Sequence, residues 1–139
     1  MSRREQAIAA INDRLSNVGT FTVVRNETAP AAVLSGGHVV VRDGGREEVD
    51  RTLGVPSYWI THRVSIEAVV AGADPDGGLD ELLQSIEAAL ADDPQLVPGV
   101  AYVECDLADI ETISADGVET FKAALFDVVI EYETANSLD

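Results

Sequence analysis

The chain has 139 residues, with 25 Asp and Glu against 9 Lys and Arg, so its formal net charge is −16. A field of this sign repels nucleic-acid phosphates, which argues against a DNA-reading function. The length favours one domain with its own core, and we expect a single domain over residues 1–139.

The N-terminal region has the apolar spacing of an amphipathic helix. Its apolar residues recur every three or four positions: Ala7, Ile8, Ile11, Leu15 and Val18. This pattern predicts a helix over residues 3–15 that ends at Gly19. Residues 21–25 are then predicted as a strand, and residues 27–32 as a loop because Pro30 cannot donate to a central ladder.

Glycines divide the next region into short pieces. Residues 35–37 and 43–45 are predicted as turns, with short strands at residues 32–34 and 38–42. Beyond the second turn, residues 47–53 are mostly polar, with polar and apolar residues in alternation. We therefore expect an exposed, mobile arm around residues 42–57.

Two long segments, residues 58–71 and 118–134, alternate between apolar and polar positions. The apolar positions are Ile60, Val64, Ile66, Ala68 and Val70 in the first segment, and Ala124, Phe126, Val128, Ile130 and Tyr132 in the second. A period of two is typical of a strand with one buried face, so each segment is predicted as one long strand.

Between these strands the pattern changes to that of a helix. Leucine and isoleucine spacing predicts an amphipathic helix over residues 79–90, with an aspartate near Asp76 as its cap. Residues 100–107 are predicted as a strand. Residues 109–113 either continue the sheet or lie at its edge, and residues 114–117 are predicted as a hairpin turn. The predicted class is α+β: a mainly antiparallel or mixed sheet of about four to six strands with two helices packed on one face.

An enzymatic hypothesis is centred on the single cysteine, Cys105. With His62 as base and Asp106 as orienting group it would form an acyl-transfer centre. Cys105, however, alternates with apolar Val103 and Leu107. It and His62 therefore fall on the apolar faces of predicted strands, where residues are more often part of the core. We therefore expect a reduced, core-facing thiol and no enzymatic activity.

No cofactor or metal site is expected. Asp74, Asp76 and Asp80 resemble part of a calcium loop, but its other ligand positions are missing. The glycine-rich turns lack the spacing and the lysine of a phosphate-binding loop. The sequence has no apolar run of about 18 residues, the length that a membrane span needs, and no signal-peptide pattern, so a bacterial-type cytoplasm is the expected place of synthesis.

An aromatic pair at a polar boundary suggests a protein contact surface. Tyr58 and Trp59 follow a polar segment, and Arg51 and Arg63 lie nearby in sequence. Aromatic and arginine side chains are favoured anchors of interfaces. The alternative is that Trp59 simply covers the end of the sheet.

The order of these segments resembles the tail terminator proteins of long-tailed phages and of phage-derived gene transfer particles. An N-terminal helix is followed by SGGHVVVRDG (residues 35–44), YWITHRVSIEA (58–68), LDELLQSIEAAL (79–90) and a closing VVIEYET (128–134). The resemblance covers nearly the whole chain. A related tail-completion or head–tail joining protein, or an adaptor of a contractile secretion apparatus, would share this order.

The resemblance implies a structural protein that closes into a six-membered ring on the finished tail tube. Such a ring stops tube polymerisation and presents a surface to the head connector or stopper protein, inside a virion or phage-like tail assembled in the bacterial cytoplasm. DNA would pass through its lumen without specific binding.

A closed ring needs two different patches that meet head to tail. We predict that one patch is the arm and the other an acidic surface. The candidate interface residues are Arg42, Arg46, Arg51, Tyr58, Trp59 and Arg63. Because the protomers repel one another, ring assembly is expected to strengthen with salt.

Overall fold

The chain folds as an α+β protein with two helices and one six-stranded mixed sheet. The computed structural model describes residues 1–26, 37–52, 54, 57–72, 74–114 and 120–139. The elements in chain order are α1 (Arg3–Val18), β1 (Thr22–Arg25), β2 (His38–Thr52), β3 (Ser57–Ala71), α2 (Pro75–Ala91), β4 (Gln95–Val97), β5 (Val100–Ser114) and β6 (Thr120–Thr134). The sheet order is β1-β2-β3-β6-β5-β4; β1 and β2 are parallel, and all other neighbours are antiparallel.

The two predicted long strands, β3 and β6, form the centre of the sheet. They pair without a register shift from Tyr58 opposite Thr134 to Ala71 opposite Phe121. Alternate residues on both strands are buried, as the period of two predicts. This central pair fixes which side chains share a face, because residues directly opposite each other project to the same side.

One hydrophobic cluster joins the helices to the sheet. Alternate strand residues contribute to it, as do Ile8, Ile11 and Leu15 of α1 and Leu82, Ile86 and Leu90 of α2. We call the side of the sheet that carries this cluster the core face and the other side the open face. The side chain of Arg14 donates to the carbonyl oxygens of Leu90 and Gln95, at 3.4 and 2.8 Å, which ties α1 to the end of α2.

Both helices begin at a side-chain cap. The Ser2 hydroxyl accepts from the Glu5 amide at 3.1 Å, and an Asp74 carboxylate oxygen accepts from the Gly77 amide at 3.1 Å. These bonds satisfy amides that have no partner within the helix. Helix α1 continues past the predicted residue 15 and ends at Gly19, whose φ of 79° lies in the left-handed region.

The turn predicted at residues 43–45 is wrong. Strand β2 runs through these residues and absorbs them in a bulge, with register shifts between Arg42 and Gly45 and between Arg46 and Glu48. A bulge adds a residue to one strand without ending the pairing, and a glycine with positive φ allows it. Gly44 has a φ of 66°.

Strand β5 shows the same behaviour. The sequence suggests residues 109–113 as a continuation or an edge, and the structure contains one strand with shifts at Tyr102/Glu104 and Leu107/Asp109. Short strand β4 was not anticipated. The predicted loop at residues 27–32, the strand at 32–34 and most of the turns at 35–37 and 114–117 lie outside the described residues.

Candidate assembly surfaces

The outer edge of β2 is paired only at its beginning. Strand β1 pairs with residues 38–41, and the Asn26 amide donates to the Val41 carbonyl oxygen at 2.8 Å. Beyond that point no described strand adjoins β2 on this side, and residues 43–51 are all exposed. The second half of β2 therefore presents a row of backbone donors and acceptors to solvent, the feature of an edge strand that can template pairing.

The six predicted interface residues divide between two faces of the sheet. Arg46 is opposite buried His62 and Arg51 is opposite Tyr58, so these arginines share the core face. Arg42, Trp59 and Arg63 lie on the open face. The structure thus brings the six residues to one end of the sheet without making them one continuous patch.

Arg63 is the centre of an ionic cluster on the open face. Its guanidinium lies 2.8 Å from Glu47, 2.7 Å from Asp106 and 3.5 Å from Asp127. Hydrogen bonds to Glu47 and Asp106 raise the pKa of Arg63 above its ordinary value. Since these partners lie on β2, β5 and β6, the side chain of Arg63 links four strands of its own protomer.

The other arginines of the arm differ in the hydrogen bonds and ion pairs that they form within the chain. Arg42 lies 3.8 Å from the carboxylate of Glu67, and Arg46 donates to the Asp139 carbonyl oxygen at 3.0 Å. Arg51 is exposed and has no hydrogen bond or ion pair with another described residue. Arg51 is therefore the arm cation best placed to bind a partner.

A second unpaired edge lies at the other end of the sheet, on β5. Strand β4 pairs only with Val100 and Ala101, and the Tyr102 amide donates to the Pro94 carbonyl oxygen. No described strand adjoins residues 103–114 on their outer side. The side chains of residues 103–112 are exposed except for half-buried Cys105.

Exposed apolar side chains are concentrated at these two ends. Of the seven exposed large apolar residues in the described part of the chain, two are terminal, Met1 and Leu138. The other five lie on β2, β3 and β5: Val49 (44%), Trp59 (45%), Val103 (44%), Leu107 (52%) and Ile110 (46%). By register Leu107 and Ile110 share the core face of β5, whereas Val49 and Trp59 lie on opposite faces of the sheet. Contiguous apolar surface marks interaction sites, which favours the β5 residues.

A small apolar groove lies between α2 and β5. It has a volume of about 150 Å³ and is lined by Leu83, Ile86, Glu87, Cys105, Leu107 and Phe126. Glu87 is exposed and supplies the only charged side chain among these lining residues.

The open face is strongly acidic. Among the described residues, strand register places ten carboxylates on it: Glu48, Asp50, Glu67, Glu104, Asp106, Asp109, Glu111, Asp127, Glu131 and Glu133. Arg42 and Arg63 lie on the same side. Much of the net charge of the chain is therefore concentrated on this surface.

The residues of the enzymatic hypothesis do not come together. His62 lies on β3, and its Nε2 is 2.6 Å from the Asp43 carbonyl oxygen, whereas Cys105 lies two strands away on β5 and accepts from the Tyr102 hydroxyl at 3.6 Å. Burial raises the pKa of the Cys105 thiol. A thiol with a raised pKa is a poor source of thiolate, which is the nucleophilic form.

The aspartates that suggested a calcium loop have other partners. Asp74 caps α2, Asp76 binds Lys122, and Asp80 accepts from Gln84 at 3.0 Å. Within the described residues, no group of three or more potential ligand side chains is arranged around a common point. In the same part of the chain, no helix is long and apolar enough to cross a membrane.

The β5 edge is the surface that sequence reasoning missed. The alternation of Val103, Cys105 and Leu107 indicated buried residues, but the structure leaves Val103 and Leu107 exposed. The bulges and the position of β5 near the edge of the sheet explain the difference. The available signal was the density of acidic residues between these apolar ones, which is unusual for a central strand.

Neither a family model nor a curated protein sequence matches the chain. Among solved structures, a chain in the virion of a native gene transfer agent particle is similar with a TM-score of 0.49 and 16% sequence identity. The similarity covers 89% of this chain and 93% of that one.

Proposed function

We propose that the protein is a structural subunit of a phage-like tail that closes into a hexameric ring on the completed tail tube. The ring stops tube polymerisation and joins the tube to the head connector or stopper protein. The observation that carries this proposal is that two long strand edges, on β2 and β5 at opposite ends of one sheet, have no partner strand among the described residues.

Two different edges at opposite ends of a subunit favour head-to-tail association. An interface of this kind uses one surface from each end, and it closes into a ring when the rotation between neighbours divides a full turn. The arm around residues 42–57 supplies one end, and mobility of this arm before assembly is part of the proposal. The exposed residues of β5 supply the acidic surface at the other end.

The acidic open face has a separate role in this proposal. We propose that both helices cover the core face and that the open face of each subunit lines the lumen. A lumen with ten carboxylates per subunit repels DNA phosphates, so DNA passes without specific binding. A related head–tail joining or tail-completion protein would use the same surfaces, and its neighbours in the particle would distinguish it.

The decisive experiment measures tail lengths by electron microscopy in particles from a strain that lacks this gene. Overlong tubes or tubes without heads are expected, and a plasmid copy of the gene should restore normal lengths. Normal tails on complete particles would overturn the proposal. Short tubes that never elongate would instead indicate an earlier step of tail assembly.

A further inference from the structure

We infer that the unpaired edge of β2 in one copy of this chain pairs with the unpaired edge of β5 in the next, and that Val49 and Arg51 contact the groove beside α2. The inference rests on the proposed function, because it specifies the contact between neighbouring subunits of the ring. The occupant of the groove is therefore a second copy of this chain.

Strand direction allows the sheet to continue from one copy to the next. Strands β2, β3, β6 and β5 are adjacent in this order and each is antiparallel to the one before. When a second copy extends the sheet in the same orientation, its β2 lies antiparallel to β5 of the first copy. By register Val49 is level with Val100 and Leu107 is level with Val41, so the second copy must be shifted along the strands by about six residues, roughly 20 Å, for the two free halves to meet. The core faces of both copies then point to the same side, as rotation about a ring axis requires.

The side chains on the core faces of the two edges are complementary. In the arm, Val49 is opposite buried Ile60 and is 44% exposed, with Arg51 two residues further on the same face. The groove offers apolar Leu107 and, at its rim, the carboxylate of Glu87. In this contact Val49 of one copy thus meets the apolar groove of the next, and Arg51 meets the exposed carboxylate of Glu87.

The open faces oppose this pairing. Glu48 and Asp50 of the arm would approach Asp106 and Asp109 of the neighbour's β5. Charged edges are a common means by which proteins prevent edge-to-edge association. Salt reduces this repulsion because the screening length falls from about 10 Å at 0.1 M to about 3 Å at 1 M, whereas apolar contacts persist. Self-association is therefore expected to strengthen with salt.

Cysteine cross-linking tests which surfaces meet. In a Cys105→Ser background, one protein carries Val49→Cys and another carries Leu107→Cys, and the two are mixed under mild oxidation at about 1 M salt. Because both positions are exposed, neither change should disturb folding. A disulfide-linked mixed dimer is expected, with much less product from either protein alone. Dominant Val49–Val49 or Leu107–Leu107 dimers would overturn the head-to-tail contact.

Charge reversal tests the role of Arg51. Arg51→Glu is expected to weaken self-association at least tenfold in sedimentation experiments, and Glu87→Lys in the same chain should restore part of it. Asp13→Lys, which reverses an exposed charge on α1, makes the same change in net charge as Glu87→Lys. Combined with Arg51→Glu as a control, it should restore less self-association. Circular dichroism verifies that each variant is folded.

Different experimental results would contradict the β2–β5 interface and the proposed function. Rings that form equally well with Arg51→Glu and with Leu107→Lys would overturn the interface and leave the ring in place. A wild-type chain that stays monomeric between about 0.1 and 1 M salt would also overturn it. Failure of the proposed function would instead appear as normal tails in the strain that lacks the gene.

Discussion

Gly44 lies so close to Arg63 on the neighbouring strand that a β-carbon on Gly44 would sit 1.8 Å from the Arg63 carbonyl oxygen. The φ of Gly44, 66°, is also in the region that favours glycine. We expect Gly44→Ala to lower the free energy of unfolding by at least about 1–3 kcal/mol, the usual cost of an unfavourable φ alone, because the two strands must also move apart. Urea denaturation measures the change.

Gly45 provides the matched control for that substitution. A β-carbon there has no atom within 4 Å outside its immediate neighbours. Gly45→Ala should change the free energy of unfolding by no more than about 1 kcal/mol. Equal losses in the two variants would contradict the close approach of β2 and β3 at Gly44.

Arg63→Gln is expected to destabilise the protein most at low salt. The substitution leaves Glu47, Asp106 and Asp127 near one another without the cation that they share. The urea midpoint should fall, and the loss should shrink as salt screens the remaining carboxylates. Arg51→Gln, which removes an unpaired cation, should leave the midpoint of the monomer unchanged. A loss that does not depend on salt would indicate a packing role for Arg63.

The cap of α2 is tested with Asp74→Ala. Loss of the acceptor for the Gly77 amide should cost about 1 kcal/mol of stability. Asp74→Asn keeps an oxygen at the same place and should cost much less. The two variants are compared by thermal unfolding, and equal losses would show that the charge of Asp74 matters more than its hydrogen bond.

Labelling of the native thiol tests the enzymatic alternative. Burial raises the pKa of the Cys105 thiol, and its Sγ accepts from the Tyr102 hydroxyl. We expect an aromatic disulfide reagent to react with native protein near neutral pH several-fold more slowly than with protein unfolded in urea. Faster reaction in the native state would support a nucleophilic role for Cys105.

His62 should make stability depend on pH near neutrality. Burial lowers the pKa of His62 below its ordinary value of 6.5, so the unfolded chain takes up a proton that the folded chain does not. This contribution to stability is complete above pH 6.5 and is lost as the pH falls toward the lower pKa of the folded state. As the pH is lowered, the free energy of unfolding measured by urea denaturation should fall less for His62→Gln than for wild type. Identical pH dependence would contradict a neutral, buried imidazole.

Much of the fold could be predicted from local patterns. The apolar spacing of α1 and α2 and the alternation of β3 and β6 agree with the observed elements, because these segments bury one regular face. The bulges could not be predicted in the same way. Glycines at residues 43–45 fit a turn or a bulge equally well, and the choice depends on pairing with β3, which is a long-range contact.

Which surfaces bind a partner stays a prediction. Arg46 and Arg51 lie on the exposed half of β2, while Arg63 binds carboxylates of its own chain. The exposure of Leu107 could not be predicted, because its apolar side chain fits a buried position in any alternation pattern. Only the sheet order places β5 near an edge, where half of that side chain reaches solvent.

Four of the six strands, β2, β3, β5 and β6, have fifteen residues each, and their number sets the width of the proposed ring. Six copies joined edge to edge would supply 24 long strands at about 4.8 Å spacing, a circumference of about 115 Å and a backbone diameter of about 37 Å before strand tilt widens it. A bore of at least this size, narrowed by inward side chains, admits a DNA duplex.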